Sequence, residues 1–121
     1  MALNQTALNE LRALDADGSC RLLAKIINAY LNDTPALIGQ MQATLAANDV
    51  ESFTRHAHSL KSTSLSLGAS RVGQIARDLE MAGKNNTIAG CPALIETLTT
   101  EYAAVATLLK AELAAPPGGS S

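Results

Sequence analysis

Apolar residues recur every three or four positions along almost the whole chain, and no run of β-branched residues alternates with period two for long enough to make a strand. The pattern predicts an all-α protein. A short first helix is expected from about Gln5 to Leu14, capped by Asn4, with Leu8, Leu11 and Leu14 on one face; Asp15-Ala16-Asp17-Gly18 then breaks it. Ser19 is placed to cap a second helix. There Leu23, Ile26, Ile27, Tyr30, Leu37, Ile38, Met41 and Leu45 form a stripe that keeps phase across Asp33-Thr34-Pro35. Proline lacks the amide donor, so one long element is expected, kinked or restarted at Pro35.

Asp49 suits the N-cap of a third helix running from about Val50 to Leu67, where Gly68 supplies a residue tolerant of positive φ. Ser70 is expected to cap a fourth, with Val72, Ile75, Ala76, Leu79 and Ala82 on one side and an end near Gly83. The segment from Lys84 to Gly90 reads as a loop. Pro92 fits the first turn of a last helix, in which Leu94, Ile95, Leu98, Tyr102, Val105, Leu109 and Leu113 repeat with heptad-like spacing. Residues 116–121, Pro-Pro-Gly-Gly-Ser-Ser, are expected to form a disordered tail. Four long helices with short connections predict an antiparallel four-helix bundle over residues 1–115, the short extra N-terminal helix lying across one end.

Composition removes several functions from this fold. A chain of 121 residues that is 47% hydrophobic and 17% charged makes one packed domain and not a disordered tail. Aromatic residues are limited to Tyr30, Phe53 and Tyr102, and the net charge is -2, so neither stacking platforms nor a basic field awaits nucleic acid or an anionic membrane. Cys20 and Cys91 have no CxxC spacing and read as reduced thiols at helix starts, which fits a cytosolic protein. The N-terminus Met1-Ala2-Leu3-Asn4-Gln5 has neither a basic region nor an apolar signal core, so the expectation is a cytoplasmic chain without direct membrane contact. Such a chain is equally suited to being the cytoplasmic module of a larger, membrane-anchored protein. Carboxylates are scattered, no E-x-x-H pair repeats, and no Gly-rich loop follows a strand; neither a metal centre nor a nucleotide or other cofactor is expected.

Candidate chemistry concentrates on the third helix. Successive helical residues turn by about 100°, so Glu51, Thr54, Arg55, His58, Lys61, Ser62 and Leu65 are expected to share one solvent-facing side, opposite Phe53, Ala57, Leu60, Ser64 and Leu67. A neutral imidazole is a good nucleophile toward phosphorus, and Lys61, one turn on, is placed to offset the charge a phosphoryl group would bring to His58. Ser62 at i+4 is small enough to admit another protein's loop, and Leu65 adds an apolar contact to the same side. His56 lies about 200° from His58 around the helix, too far for the pair to chelate one metal, and reads as a structural residue at the edge of the buried side. Glu80 is readable as an ordinary solvated carboxylate flanking an apolar stripe.

The segment His58-Ser59-Leu60-Lys61-Ser62-Thr63-Ser64-Leu65-Ser66-Leu67-Gly68-Ala69 resembles the H-x-L-K-G-x-x-x-x-L-G-A motif of histidine-containing phosphotransfer (HPt) domains, and Leu79-Glu80 matches the pair found one helix later. The resemblance extends over nearly the whole chain. It implies that His58 accepts the phosphoryl group, that Lys61 is the neighbouring cation, that Gly68 makes the turn between the central helices, and that Glu80 positions the imidazole. Ser62 stands where the family most often has glycine. The implied function is a phosphorelay carrier that takes a phosphoryl group from a receiver-domain aspartate and passes it to another receiver or back. On this reading the protein is not an enzyme, and the receivers bring Mg²⁺ and the acidic pocket. Arg55, Ser62 and Leu65 would help to dock them, the chain would act as a monomer, and a place as the C-terminal module of a hybrid sensor histidine kinase is expected. The alternative is a non-phosphorylated helical adaptor that binds a partner through the side around His58 and Leu65.

Overall fold

The structure, a computed structural model, describes residues 21–114 and Thr6. Apart from Thr6, the expected first helix, its Asn4 cap, Ser19, Cys20 and the 116–121 tail lie outside the described residues, as does the side chain of Leu113. Among the described residues there are four α-helices and no strand: α1 (Arg21–Ala46), α2 (Val50–Ser66), α3 (Ser70–Lys84) and, after a 3₁₀ turn at Ile88–Gly90, α4 (Cys91–Ala114). Each helix packs on the next and α4 closes against α1. Short connections make sequential neighbours antiparallel, so the helices stand in a ring around one core. Its floor to ceiling is lined by Ile27 and Met41 from α1, Phe53, Ala57 and Leu60 from α2, Val72, Ala76 and Leu79 from α3, and Leu98, Val105 and Leu109 from α4, all fully buried.

Three helices end in the same way. The amide of Asn48 donates to Leu45 O at 3.0 Å and that of Asp49 to Thr44 O at 2.8 Å; Gly68 and Ala69 repeat the pair on Leu65 O and Ser64 O, and Asn86 and Thr87 on Gly83 O and Ala82 O. This doubled closure needs one left-handed residue, supplied by Gly68 at φ 78 and, at the other two ends, by asparagines 48 and 86 at φ 58 and 57. Asp49 both completes the turn after α1 and caps α2, its carboxylate accepting from the Ser52 amide at 3.2 Å. Ser70, expected to cap α3, does not. The turn after α2 is so short that the cap position falls on buried Ala69, which has no side-chain bond to offer, and Ser70 becomes the first helical residue.

Pro35 leaves α1 a single element from Arg21 to Ala46, neither broken nor restarted. Its missing amide would have bonded the carbonyl of Leu31 four residues earlier. That carbonyl accepts the hydroxyl of Tyr102 from α4 instead, at 3.4 Å, and the Tyr102 ring lies 5.8 Å from that of Tyr30 at a tilt of 56°.

The most extensively packed helix pair is α2 and α3, and two glycines allow the approach. A Cβ at Gly73 would stand 2.5 Å from Leu65 Cδ2, and one at Gly83 would run into the Thr54 hydroxyl. Gly73, Ala76, Glu80 and Gly83 recur at spacings of three and four residues, so a side of α3 that is mostly without bulk lies against α2. Thr54 is accordingly half-buried at this seam, with its hydroxyl donating to Val50 O at 2.7 Å, and does not face solvent as its helical phase predicted. The seam's narrowness is what lets a short carboxylate on α3 reach a side chain on α2.

Candidate functional site

Glu80 is that carboxylate. It lies in the seam with its side chain only 4% exposed, and three groups converge on it. His58 Nδ1 is 2.8 Å from Oε2, Lys61 Nζ is 2.7 Å from Oε1, and Lys84 Nζ is 3.4 Å from Oε2. Burial alone would push the Glu80 carboxyl up, but hydrogen bonds from Lys61 and His58, the Lys61 charge and the Lys84 contact outweigh it and hold the group down at about 2, against an ordinary 4.5. The carboxylate is therefore ionised, and an ionised carboxylate only accepts hydrogen bonds. His58 Nδ1 must carry the proton that bridges to it. In the neutral ring this tautomer leaves Nε2 as a bare lone pair, on a side chain that is 58% exposed.

The structure thus brings His58, Lys61 and Glu80 together, and it makes Glu80 a buried anchor where its sequence setting also allowed a solvated flank. Lys61 does not extend freely into solvent beside the imidazole; its ammonium is engaged by Glu80 and its side chain is 25% exposed. Arg55 and Ser62 are exposed on α2, with Arg55 donating to Ser52 Oγ at 3.1 Å and the Ser62 carbonyl accepting from Ser66 Oγ at 2.9 Å. Leu65 is half exposed, although one edge of it covers Gly73. His56 sits at the boundary, half-buried and away from this cluster.

Lys84 was not visible as part of the site, because the segment that begins with it reads as loop; it is the last residue of α3. Its position four residues after Glu80 was the available signal, since such pairs meet on a helix. Beside His58, a groove of about 610 Å³ runs between α1 and α2, bordered by Tyr30, Leu37 and Gln40 on one side and Ser59, Ser62 and Thr63 on the other. Cys91 is fully buried at the start of α4, and burial pushes its thiol up, away from the reactive thiolate. Among the described residues no group of three or more His, Cys, Asp or Glu side chains stands close enough to hold a metal ion, and no helix is long and apolar enough to cross a membrane.

The four-helix bundle thus presents an exposed imidazole, oriented by a buried carboxylate and flanked by ammonium groups, and a neutral imidazole is chemically competent as a nucleophile. The family model of the Hpt domain matches residues 25–108, and the chain belongs to this family of histidine-containing phosphotransfer domains. It is similar to histidine-containing phosphotransfer protein 2 of Arabidopsis thaliana, at 27% identity over 104 residues that span 84% of this chain and 67% of that protein. Its fold is similar to the crystal structure of histidine-containing phosphotransfer protein B from Pseudomonas aeruginosa PAO1, with a TM-score of 0.84 and 26% identity over 92% of this chain and 93% of that one. The protein is a phosphorelay carrier of two-component signalling, and the partners of its class are receiver domains.

Proposed function

We propose that His58 is the residue that carries the phosphoryl group. The observation that supports this above all others is the Nδ1 contact to buried Glu80, because in the neutral ring it leaves Nε2 as the bare lone pair of an exposed side chain. In the forward step the Nε2 lone pair attacks phosphorus of an aspartyl phosphate on a receiver. The P–O bond to the aspartate breaks, its electron pair leaves with the carboxylate, and an N–P bond forms. Nε2 has no proton to lose, so no general base is needed. The ring gains positive charge as the bond forms, and Glu80 faces that charge through Nδ1–H. Two ammonium groups around one carboxylate leave the neighbourhood with surplus positive charge, which favours a dianionic phosphoryl group.

The partner supplies the remaining machinery: its acidic pocket would hold Mg²⁺, which would offset the charge of the phosphoryl group, while Arg55, Ser62 and Leu65 form the docking side around His58. The chain then acts as a monomeric, cytoplasmic carrier and substrate, placed as the C-terminal module of a hybrid sensor histidine kinase. The reverse step returns the group to a receiver by the same geometry.

The test is phosphate transfer from a phosphorylated receiver to the purified chain. His58→Gln is expected to keep the fold and accept no acid-labile, base-stable phosphate, since the exposed nucleophile is lost while the core is untouched. His56→Gln is expected to accept nearly normally. Label on the His58 variant, or its loss from a folded His56 variant, would move the site.

A further inference from the structure

The two lysines on Glu80 are held very differently. Lys61 sits close on Oε1 and is three-quarters buried, whereas Lys84 stands farther off, is 58% exposed, and shares Oε2 with an imidazole N–H that is already closer. Taking Lys61 away would strip Oε1 of its ion pair inside the seam, and a buried carboxylate oxygen without a partner is costly. Taking Lys84 away would leave Oε2 still bonded to His58. The Lys84 end of this 3.4 Å pair is solvent-exposed, so water can take over its ammonium and Lys84 can leave Glu80 with less loss than Lys61. Its long side chain is already two hydrogen bonds from the ring, by way of Oε2 and Nδ1. Of the other cations on these helices, Arg55 donates to Ser52, Arg71 pairs with Glu101 on α4, and Arg77 is exposed and makes no contact with Glu80.

We propose that the lysines divide the work: Lys61 is the fixed lock on Glu80, and Lys84 is the mobile cation that turns from Glu80 to the phosphoryl oxygens once His58 carries them. This rests on His58 as the acceptor. A dianionic phosphoryl group offers Lys84 more charge than an oxygen it already shares, and that difference drives the exchange. Glu80 keeps Lys61 and the imidazole throughout, so the ring stays oriented while the neutralising charge moves.

The experiment uses the full chain phosphorylated by phosphoramidate, a small phosphoryl donor that needs no docking. Two signals are read: the pH midpoint of the phosphohistidine ³¹P resonance, and the ¹⁵N tautomer signature of His58 before phosphorylation. A nearby ammonium favours the phosphoryl dianion, so Lys84→Met is expected to raise the ³¹P midpoint by about half a pH unit and Lys84→Arg to restore it. Lys84→Met leaves the tautomer signature of the unmodified chain as it was, and Lys61→Met changes it, because only Lys61 locks the carboxylate. An unmoved ³¹P midpoint in Lys84→Met overturns the proposal, and so does a tautomer change as large as that of Lys61→Met. Absence of label on His58 in the parent chain would instead sink His58 as the acceptor.

Discussion

Helix α2 makes a polar contact with each neighbour, and the two contacts are built on opposite principles. Toward α1, the Tyr30 hydroxyl and Ser64 Oγ meet at 2.8 Å between two buried residues, and burial pushes the Tyr30 phenol up to about 12, so the contact stays neutral. Toward α3, a buried carboxylate meets a half-open imidazole and two ammonium groups, so the contact is charged and unfinished on its outer side. In the first pair one hydroxyl donates to the other, and that buried bond ties α1 to α2 in one alignment. In the second, burial of one partner fixes the geometry while exposure of the other preserves a reactive atom. A bundle of this size can therefore keep rigidity and reactivity on one helix by assigning them to its two flanks.

Removing the charge from the reactive flank is expected to have the largest effect. The Glu80 carboxyl is held below its ordinary value in the folded state, so its contribution to stability is present above about pH 4.5 and is lost as pH falls toward about 2. Glu80→Gln should cost on the order of 3 kcal/mol at neutral pH and flatten the acid limb of the stability profile. It should also slow transfer, because the imidazole loses the charge that faces it. Denaturant midpoints between pH 2 and 7 measure this, and an unchanged acid slope would mean that the seam is not held by its charges. On the neutral flank, Tyr30→Phe leaves the Ser64 hydroxyl buried without its partner and should cost about 1–3 kcal/mol. Its transfer rate should match the parent; a loss as deep as that of Glu80→Gln would show that the two flanks are not independent. The smallest stability effects belong to Ser62 on the exposed side. Ser62→Gly should cost at most about 1 kcal/mol and leave transfer equal or faster. Ser62→Phe should stay folded yet bind a receiver more weakly, and calorimetric titration with wild-type affinity would place the docking side elsewhere.

Much of this arrangement was legible because it is local or periodic. The apolar stripes assign all four helices, Asp49 and Gly68 announce their turns by residue type, and His58 follows from helical phase, since Leu60 and Ala57 must turn inward. What escaped depends on how two helices meet. Whether Glu80 is a solvated flank or a buried anchor turns on the depth of the seam, and that depth is set by Gly73 and Gly83, whose meaning is invisible until Leu65 and Thr54 are seen against them. Lys84 was hidden by its neighbours, because asparagine-rich sequence reads as loop one residue too early when a left-handed asparagine ends the helix. Ser70 failed as a cap for the converse reason: the preferred residue type was present, one position too late.

The carbonyl that Pro35 leaves open on α1 is answered by a hydroxyl 71 residues further along the chain. A flaw in the first long helix thus becomes an address for the last one. An uninterrupted run of backbone bonds looks the same at every turn and gives a neighbouring helix no polar mark to align on. One vacant acceptor breaks that translational symmetry, and Tyr102 satisfies it in a single alignment. The proline, read locally as a weakness, marks where the bundle closes.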